Sequence, residues 1–293
     1  MELDLVALHE ALAEALGEQP CLIFRDQVWS WSEVTDRTRR FANFLLAHGI
    51  TRHGDLEERE GWQSPHDHVA LYLQNSNAYL EAQLAASKAG AAAFNVNYRY
   101  VAEELAYLFN DANAAAIVYQ GCYSDTLAEV LPHLNRSPLL VRVDDGSGDE
   151  LLNGAVDYES ALSSSSPLAP AVESRGDDLY VLYTGGTTGK PKGVLWRQAD
   201  FLVAALGVRR KDGTDYESLD ELVGPAAERT LATLPAPPLM HGAAMWNALS
   251  TWINGGTIVI QDKVDHFDPS DILDTCQRHQ VTSLLIVGDA FAR

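Results

Sequence analysis

The chain is poor in cysteine, in basic charge and in long apolar runs, and each shortage narrows the function. Three cysteines occur, Cys21, Cys122 and Cys276. They lie far apart with no Cys-x-x-Cys pair, so neither a disulfide framework nor a thiolate metal site is expected; buried thiols in a reducing cytoplasm fit better. No apolar run approaches the ~20 residues that a membrane-spanning helix needs. Lysine and arginine number 21 against 41 aspartates and glutamates, a formal net charge of −20. A surface of that sign repels nucleic-acid phosphates and anionic lipid, which argues against both as partners. The opening MELDLVALHEALAEAL carries acids where a secretory leader carries Lys or Arg, and it reads as an amphipathic helix.

What remains is ample for folding. Of 293 residues, 46% are hydrophobic and 21% charged, enough for two core units. Two short strands flank Arg25 and Asp26, and Ser30 with Glu33 forms a capping box that opens a helix to about His48. Residues 51–68 are polar and aperiodic and read as a surface loop. The pattern then alternates: strand 69–73, helix 77–89, strand AAFNVN, helix AEELAYLFNDA, strand 114–119, a helix to about Leu134, strand LLVRV. Such alternation predicts an α/β fold of mostly parallel sheets covered by helices on both faces. Residues 151–178, within a linker-like stretch from 144 containing SSSSP, predict a boundary between a first βα subdomain, 1–150, and a second, 179–293. The second shows strands 179–183 and 193–196, a helix from about Gln198, an acidic insert at 212–228, strand LATLP, the apolar helix GAAMWNALSTWI, strand GTIVIQD, helix 269–279 and a buried strand 281–288.

Between strands 179–183 and 193–196 lies TGGTTGKPK, a cluster of glycines, threonines and lysines with little use in packing. Its backbone N–H groups, hydroxyls and ammonium groups are all donors, so an anion is the expected partner. The P-loop pattern G-x-x-x-x-G-K-[ST] fits poorly: Gly185 to Gly189 is one residue short, Pro191 replaces the hydroxyl residue, and an apolar VLW run follows where a helix should open. A plain glycine-rich surface hairpin is the remaining alternative.

The segment YTGGTTGKPKGV (183–194) resembles the signature of the adenylate-forming superfamily of acyl-CoA synthetases, luciferases and adenylation domains, with Gly185 where Ser is usual. LPAPPLMHGAAMW (234–246) is similar to its Pro-x-x-His motif, and NVNYRYVAEELAYLFNDA (95–112) to an early acyl-CoA synthetase segment. With VGDAFAR, these motifs look most like the branch acting on fatty acids and steroid side-chain acids. The resemblance implies the N-terminal subdomains of an enzyme that forms acyl-AMP from a small-molecule carboxylic acid and ATP with Mg²⁺, then passes the acyl group to coenzyme A. It further implies that Thr184, Gly185, Gly186, Thr187, Thr188 and Gly189 wrap the phosphates with Lys192 as their charge partner, Pro191 fixing the turn and Lys190 facing solvent. His241 is implied at the reacting carboxylate; Met245 and Trp246, on the apolar helix after it, either line the acyl pocket or pack in the core, and Gly288, Asp289 and Ala290, at the end of a strand where α/β ligand sites gather, are expected to line the pocket. His66 and His68 form an H-x-H that lacks a ligand set, and they are expected in a solvated loop; no metal site is predicted.

The family's later motifs, including its Tyr-Gly-x-Thr-Glu segment and the small C-terminal domain with its lysine, do not occur in this sequence. The expectation is therefore a portion of a longer enzyme, inactive alone, whose last strand exposes an apolar edge and favours self-association, up to a homodimer. Two other readings stay open: an acyl-AMP ligase that loads a carrier protein, and a nucleotide-binding or interaction module without catalysis.

Overall fold

The computed structural model describes residues 2–54, 59–148, 150–185 and 189–288. In chain order the elements are α1 Leu5–Leu16, β1 Pro20–Phe24, β2 Gln27–Ser30, α2 Trp31–Ala47, β3 His68–Tyr72, α3 Asn77–Lys88, β4 Ala92–Asn95, α4 Ala102–Asp111, β5 Ala114–Gln120, α5 Ser124–Val130, β6 Leu139–Val143, β7 Val156–Asp157 and α6 Tyr158–Ser163. There follow β8 Leu179–Thr184, β9 Lys192–Arg197, α7 Gln198–Ala204, α8 Asp220–Ala227, β10 Ala232–Pro235, α9 Gly242–Ile253, β11 Thr257–Ile260, α10 Pro269–Arg278 and β12 Ser283–Leu285. Helices α1, α2, α6 and α10 begin at residues whose side chains take orphan N–H groups. Asp4 accepts from Ala7 N at 2.8 Å, and Asp268 accepts from Ser270 N at 2.9 Å. Ser30 and Glu33 form the expected capping box, with bonds of 2.7 and 3.2 Å.

Contacts divide the chain into two interleaved units, residues 37–73 with 78–198, and residues 1–36 with 74–77 and 199–293. These divisions are not the consecutive blocks 1–150, 151–178 and 179–293. The unit containing 78–198 holds a five-stranded, wholly parallel sheet in the order β4-β3-β5-β6-β7. Its central strands HVALY and AAAIVYQ are apolar almost throughout, as strands covered on both faces must be. Tyr72, Phe94, Ile117 and Tyr119 pack there with Leu105, Leu108 and Leu127 from the helices. The antiparallel pair β8–β9 adds Leu179 and Val181 to the same core.

The other unit holds a sheet ordered β12-β10-β11-β1-β2, parallel except for β2. Ile23, Leu234, Val259 and Ile272 form a core there, and the Trp252 indole N–H of α9 donates to Cys21 O at 3.2 Å. The turn from α9 to β11 needs glycine at Gly255: φ is +72°, and a Cβ would lie 2.4 Å from the Ala226 carbonyl oxygen. The α/β class of mostly parallel sheets flanked by helices is therefore present as the alternation predicts.

Three local expectations need correction. The stretch 144–178 is not merely a linker, because it contains β7 and α6, and Tyr158 is buried with its hydroxyl donating to Glu81 at 3.0 Å. The acidic insert contains α8. The last strand is shorter than 281–288 and is not buried: β12 is an edge strand, and Ile286 and Val287 beyond it are exposed.

The Tyr158 contact belongs to a buried ion cluster. Arg37 reaches Glu81 through two bonds of 2.8 and 3.0 Å and Glu159 through a bond of 2.6 Å. Burial opposes the Arg37 charge, but bonds to Glu159 and Glu81 hold its pKa above the ordinary arginine value. Glu81 is fully buried, so removing Arg37 takes away two of the bonds that offset its charge. Urea unfolding of Arg37→Met should show a loss of about 3–5 kcal/mol, and Arg37→Met with Glu81→Leu should recover much of it.

Candidate functional site

The ladder between β8 and β9 runs in unbroken register from Leu179 opposite Arg197 to Thr184 opposite Lys192. It ends at the two residues that open and close the glycine-rich stretch, which places their side chains at the mouth of one hairpin. Thr184, Gly185, Gly189, Lys190 and Lys192 are exposed there and Pro191 is half-buried. Gly186, Thr187 and Thr188 lie outside the described residues. The stretch leads into a strand, whereas a P-loop leads into a helix, so that rival is excluded. Gly189 has φ +89°, in the left-handed region that glycine tolerates. A Cβ on Gly193 would come within 3.0 Å of the Tyr183 ring, so glycine lets that ring lie across β9.

The hairpin is tied down by residues within 95–112 for which no site role was expected. Asn95, at the end of β4, donates to Tyr183 O at 2.9 Å and accepts from Tyr183 N at 2.7 Å. The Tyr183 hydroxyl donates to Asp111 at 2.7 Å; burial, then Asp111, pushes its pKa well above the ordinary phenol value. One turn earlier on α4, the Tyr107 hydroxyl donates to Pro191 O at 3.4 Å, and the Lys190 ammonium sits 4.5 Å from the Tyr107 ring centre. Lys190 is exposed as expected, yet engaged. Among the described residues no carboxylate pairs with Lys192. The available signal was spacing: Tyr107 and Asp111 are four apart on one helix and so share a face.

The foot of the hairpin rests on the H-x-H pair, which is not in a solvated loop. His66 is buried: its Nδ1–H donates to Gly90 O at 2.8 Å and its Nε2 accepts from Leu179 N at 3.3 Å. His68 donates from Nδ1 to Ala112 O at 2.6 Å and accepts from Ser64 Oγ at 2.8 Å. Both rings are spent on hydrogen bonds, and among the described residues no group of three or more His, Cys, Asp or Glu could hold a metal ion.

The second set of site residues lies in the other unit, where β10 has β11 on one side and β12 on the other. The chain leaves β10 for β11 and then returns across it to β12, which makes a topological switch point of the kind where open α/β sheets hold ligands beyond their strand ends. His241 follows β10 and Gly288 follows β12, so both stand beyond carboxyl ends at that switch; Ala236 N donates to Leu285 O at 3.1 Å between them. His241 is exposed at the start of α9, its carbonyl accepting from Ala244 N and Met245 N. The buried Asn75 fixes the approach, donating to Pro237 O at 3.1 Å and accepting from Leu239 N at 2.6 Å. Met245 is buried, and the half-buried Trp246 meets Phe201 edge-on at 5.7 Å. Gly288 has φ +75° and is exposed; Asp289 and Ala290 lie outside the described residues.

One unit thus carries a donor-rich hairpin mouth, and the other a sheet with a topological switch point. Residues 9–293 match the AMP-binding enzyme family, and the chain belongs to it. It is 43% identical over 289 residues to the medium-chain acyl-CoA ligase Mig of Mycobacterium avium, covering 98% of this chain and 52% of the relative. It is 33% identical over 296 residues to the 3-oxocholest-4-en-26-oate–CoA ligase of Rhodococcus rhodochrous, covering 100% of this chain and 50% of the relative. The chain thus spans about half the length of the curated relatives it matches. In fold it is similar to an anthranilate CoA ligase crystallised with anthranoyl-AMP, with a TM-score of 0.79 at 18% identity, covering 99% of this chain and 51% of that one.

The histidines generate a pH prediction. Burial, as the leading cause, lowers the pKa of both below the ordinary imidazole value, and His66 must be neutral to accept from Leu179 N. The unfolded chain then binds more protons than the native one below about pH 6.5, so stability falls as pH falls through that value. The loss is at most ~1.4 kcal/mol per histidine per pH unit. Denaturant midpoints measured from pH 7.5 to 5.5 should fall, and more shallowly in His66→Gln.

Proposed function

We propose that the chain is the N-terminal part of an AMP-forming acid–thiol ligase, an acyl-CoA synthetase. In the first step a carboxylate oxygen of the acid bonds to the α-phosphorus of ATP while the bond to the leaving pyrophosphate breaks, giving acyl-AMP. In the second, the thiolate sulfur of coenzyme A bonds to the acyl carbon and AMP departs. The observation that carries this reading is the ladder that ends at Thr184 and Lys192 in a member of this family. Exposed donors at a hairpin mouth suit the β- and γ-phosphates, whose charge Lys192 would offset. Thr184, Gly185 and Gly189 contribute from the described residues, and Gly186, Thr187 and Thr188 complete the wrap.

His241, at the switch point beyond β10, takes the position at the reacting carboxylate. Met245, Trp246 and Gly288, with Asp289 and Ala290, line the acyl pocket. The acid is read as a medium- to long-chain fatty acid or a steroid side-chain acid, because relatives over the whole chain bear those names. Those names also favour coenzyme A over a carrier protein as acceptor. We assign no metal ligand to this chain; Mg²⁺ would be carried on the ATP phosphates. Cys21, Cys122 and Cys276 are all free thiols, which suits a cytoplasmic enzyme. No helix among the described residues is long and apolar enough to cross a membrane. Activity is assigned to the full-length protein.

In the full-length protein, Lys192→Ala should reduce ATP–pyrophosphate exchange roughly 10- to 150-fold, the worth of a charge-assisted hydrogen bond. Lys190→Ala should have a far smaller effect. Equal losses from the two substitutions would contradict the assignment of Lys192.

A further inference from the structure

We propose that Tyr107 and Asp111 are positioning residues for the phosphate-binding hairpin, a fixed brace through which α4 sets the spacing and direction of its two arms. The proposal rests on the phosphate reading of the hairpin and adds residues outside its motif. Four contacts carry it. On the β8 arm, Asp111 accepts from the Tyr183 hydroxyl at 2.7 Å, one residue before Thr184. On the β9 arm, the Tyr107 hydroxyl donates to Pro191 O at 3.4 Å, one residue before Lys192. The ring of the same tyrosine takes the Lys190 ammonium at 4.5 Å. Asn95 locks the Tyr183 backbone through its pair of bonds at 2.9 and 2.7 Å. Tyr107 and Asp111 sit one helical turn apart, so the two arms are gripped by successive turns of one rigid element.

The consequence is chemical. Lys190 and Lys192 are two residues apart, and either could serve a phosphate by charge alone. With Lys190 held over Tyr107, Lys192 is the hairpin cation left to face an anion, and its position is fixed relative to Thr184 by the brace. A donor set organised before the anion arrives loses less conformational freedom on binding, so the brace should appear as phosphate affinity.

The same contacts make a merely structural role separable from a positioning one. Tyr107→Phe keeps the ring and its grip on Lys190, whereas Tyr107→Leu loses both ring and hydroxyl. Asp111→Asn keeps an acceptor for the Tyr183 hydroxyl, whereas Asp111→Ala removes it. Lys190→Met removes the cation held by the ring, so combining it with Tyr107→Leu should add little to either change alone.

The test is calorimetric titration of the 293-residue chain with inorganic tripolyphosphate, alongside Lys192→Ala and thermal midpoints for every variant. Expected are a roughly three- to tenfold weaker affinity for Tyr107→Leu and for Asp111→Ala, a smaller loss for Tyr107→Phe, which keeps the ring on Lys190 but gives up the bond to Pro191 O, and near wild-type affinity for Asp111→Asn. The Lys190→Met/Tyr107→Leu pair should be non-additive, with thermal midpoints not tracking affinity. Unchanged affinity in Tyr107→Leu and Asp111→Ala, with Lys192→Ala still weakened, would overturn the brace and leave the phosphate reading standing. Affinity losses that simply follow thermal midpoints would overturn it as well. No binding by the wild-type chain, or binding indifferent to Lys192→Ala, would overturn the phosphate reading and the brace with it.

Discussion

The loop of a hairpin can offer hydrogen-bond donors to an outside ligand where the ladder between its arms stops. Here it stops between Thr184 and Lys192, and the site depends on where that last pair is held. The position is set from three sides of one unit. Leu179 and Val181 are buried in the core, Asn95 grips the Tyr183 backbone, and Tyr107 and Asp111 reach the two arms from α4. At the foot, His66 accepts from Leu179 N while Arg52 pairs with Asp178 beside it. A parallel α/β unit, whose strands are buried on both faces, supplies a stiff base for the two arms of the hairpin.

The second unit follows a different rule toward the same end. Its sheet reverses direction of growth at β10, and the residues that follow β10 and β12 stand beyond the strand ends at the reversal. Asn75 holds both Pro237 O and Leu239 N just ahead of α9, whose N-cap is His241. Met245 is buried one turn later, while His241 stands exposed at the start of the helix.

Much of the fold was legible because it is written in periodicity. HVALY and AAAIVYQ are continuous apolar runs of strand length, and the capping box at Ser30 and Glu33 marks a helix start by local chemistry alone. The unread parts are those fixed by partners distant in sequence. His66 reads as a polar loop residue until Gly90, 24 residues away, and Leu179, 113 away, are brought to its ring. Helix α6 hides in a serine-rich stretch because what holds it is Tyr158 on Glu81, 77 residues away. The hairpin residues themselves were legible as a motif, but their supports were not, since Asn95 and Asp111 are ordinary polar residues until the fold places Tyr183 against them. The strand at 281–288 was read as buried because its sequence is apolar, whereas its position at the sheet edge governs its exposure.

Backbone amide NMR of the 293-residue chain titrated with ATP addresses the phosphate hairpin most directly. The account predicts the largest shifts at Thr184, Gly185, Gly189 and Lys192, smaller coupled shifts at Asn95, Tyr107 and Asp111, and loss of both sets in Lys192→Ala. Shifts that leave the hairpin silent, or that persist unchanged in Lys192→Ala, would contradict it.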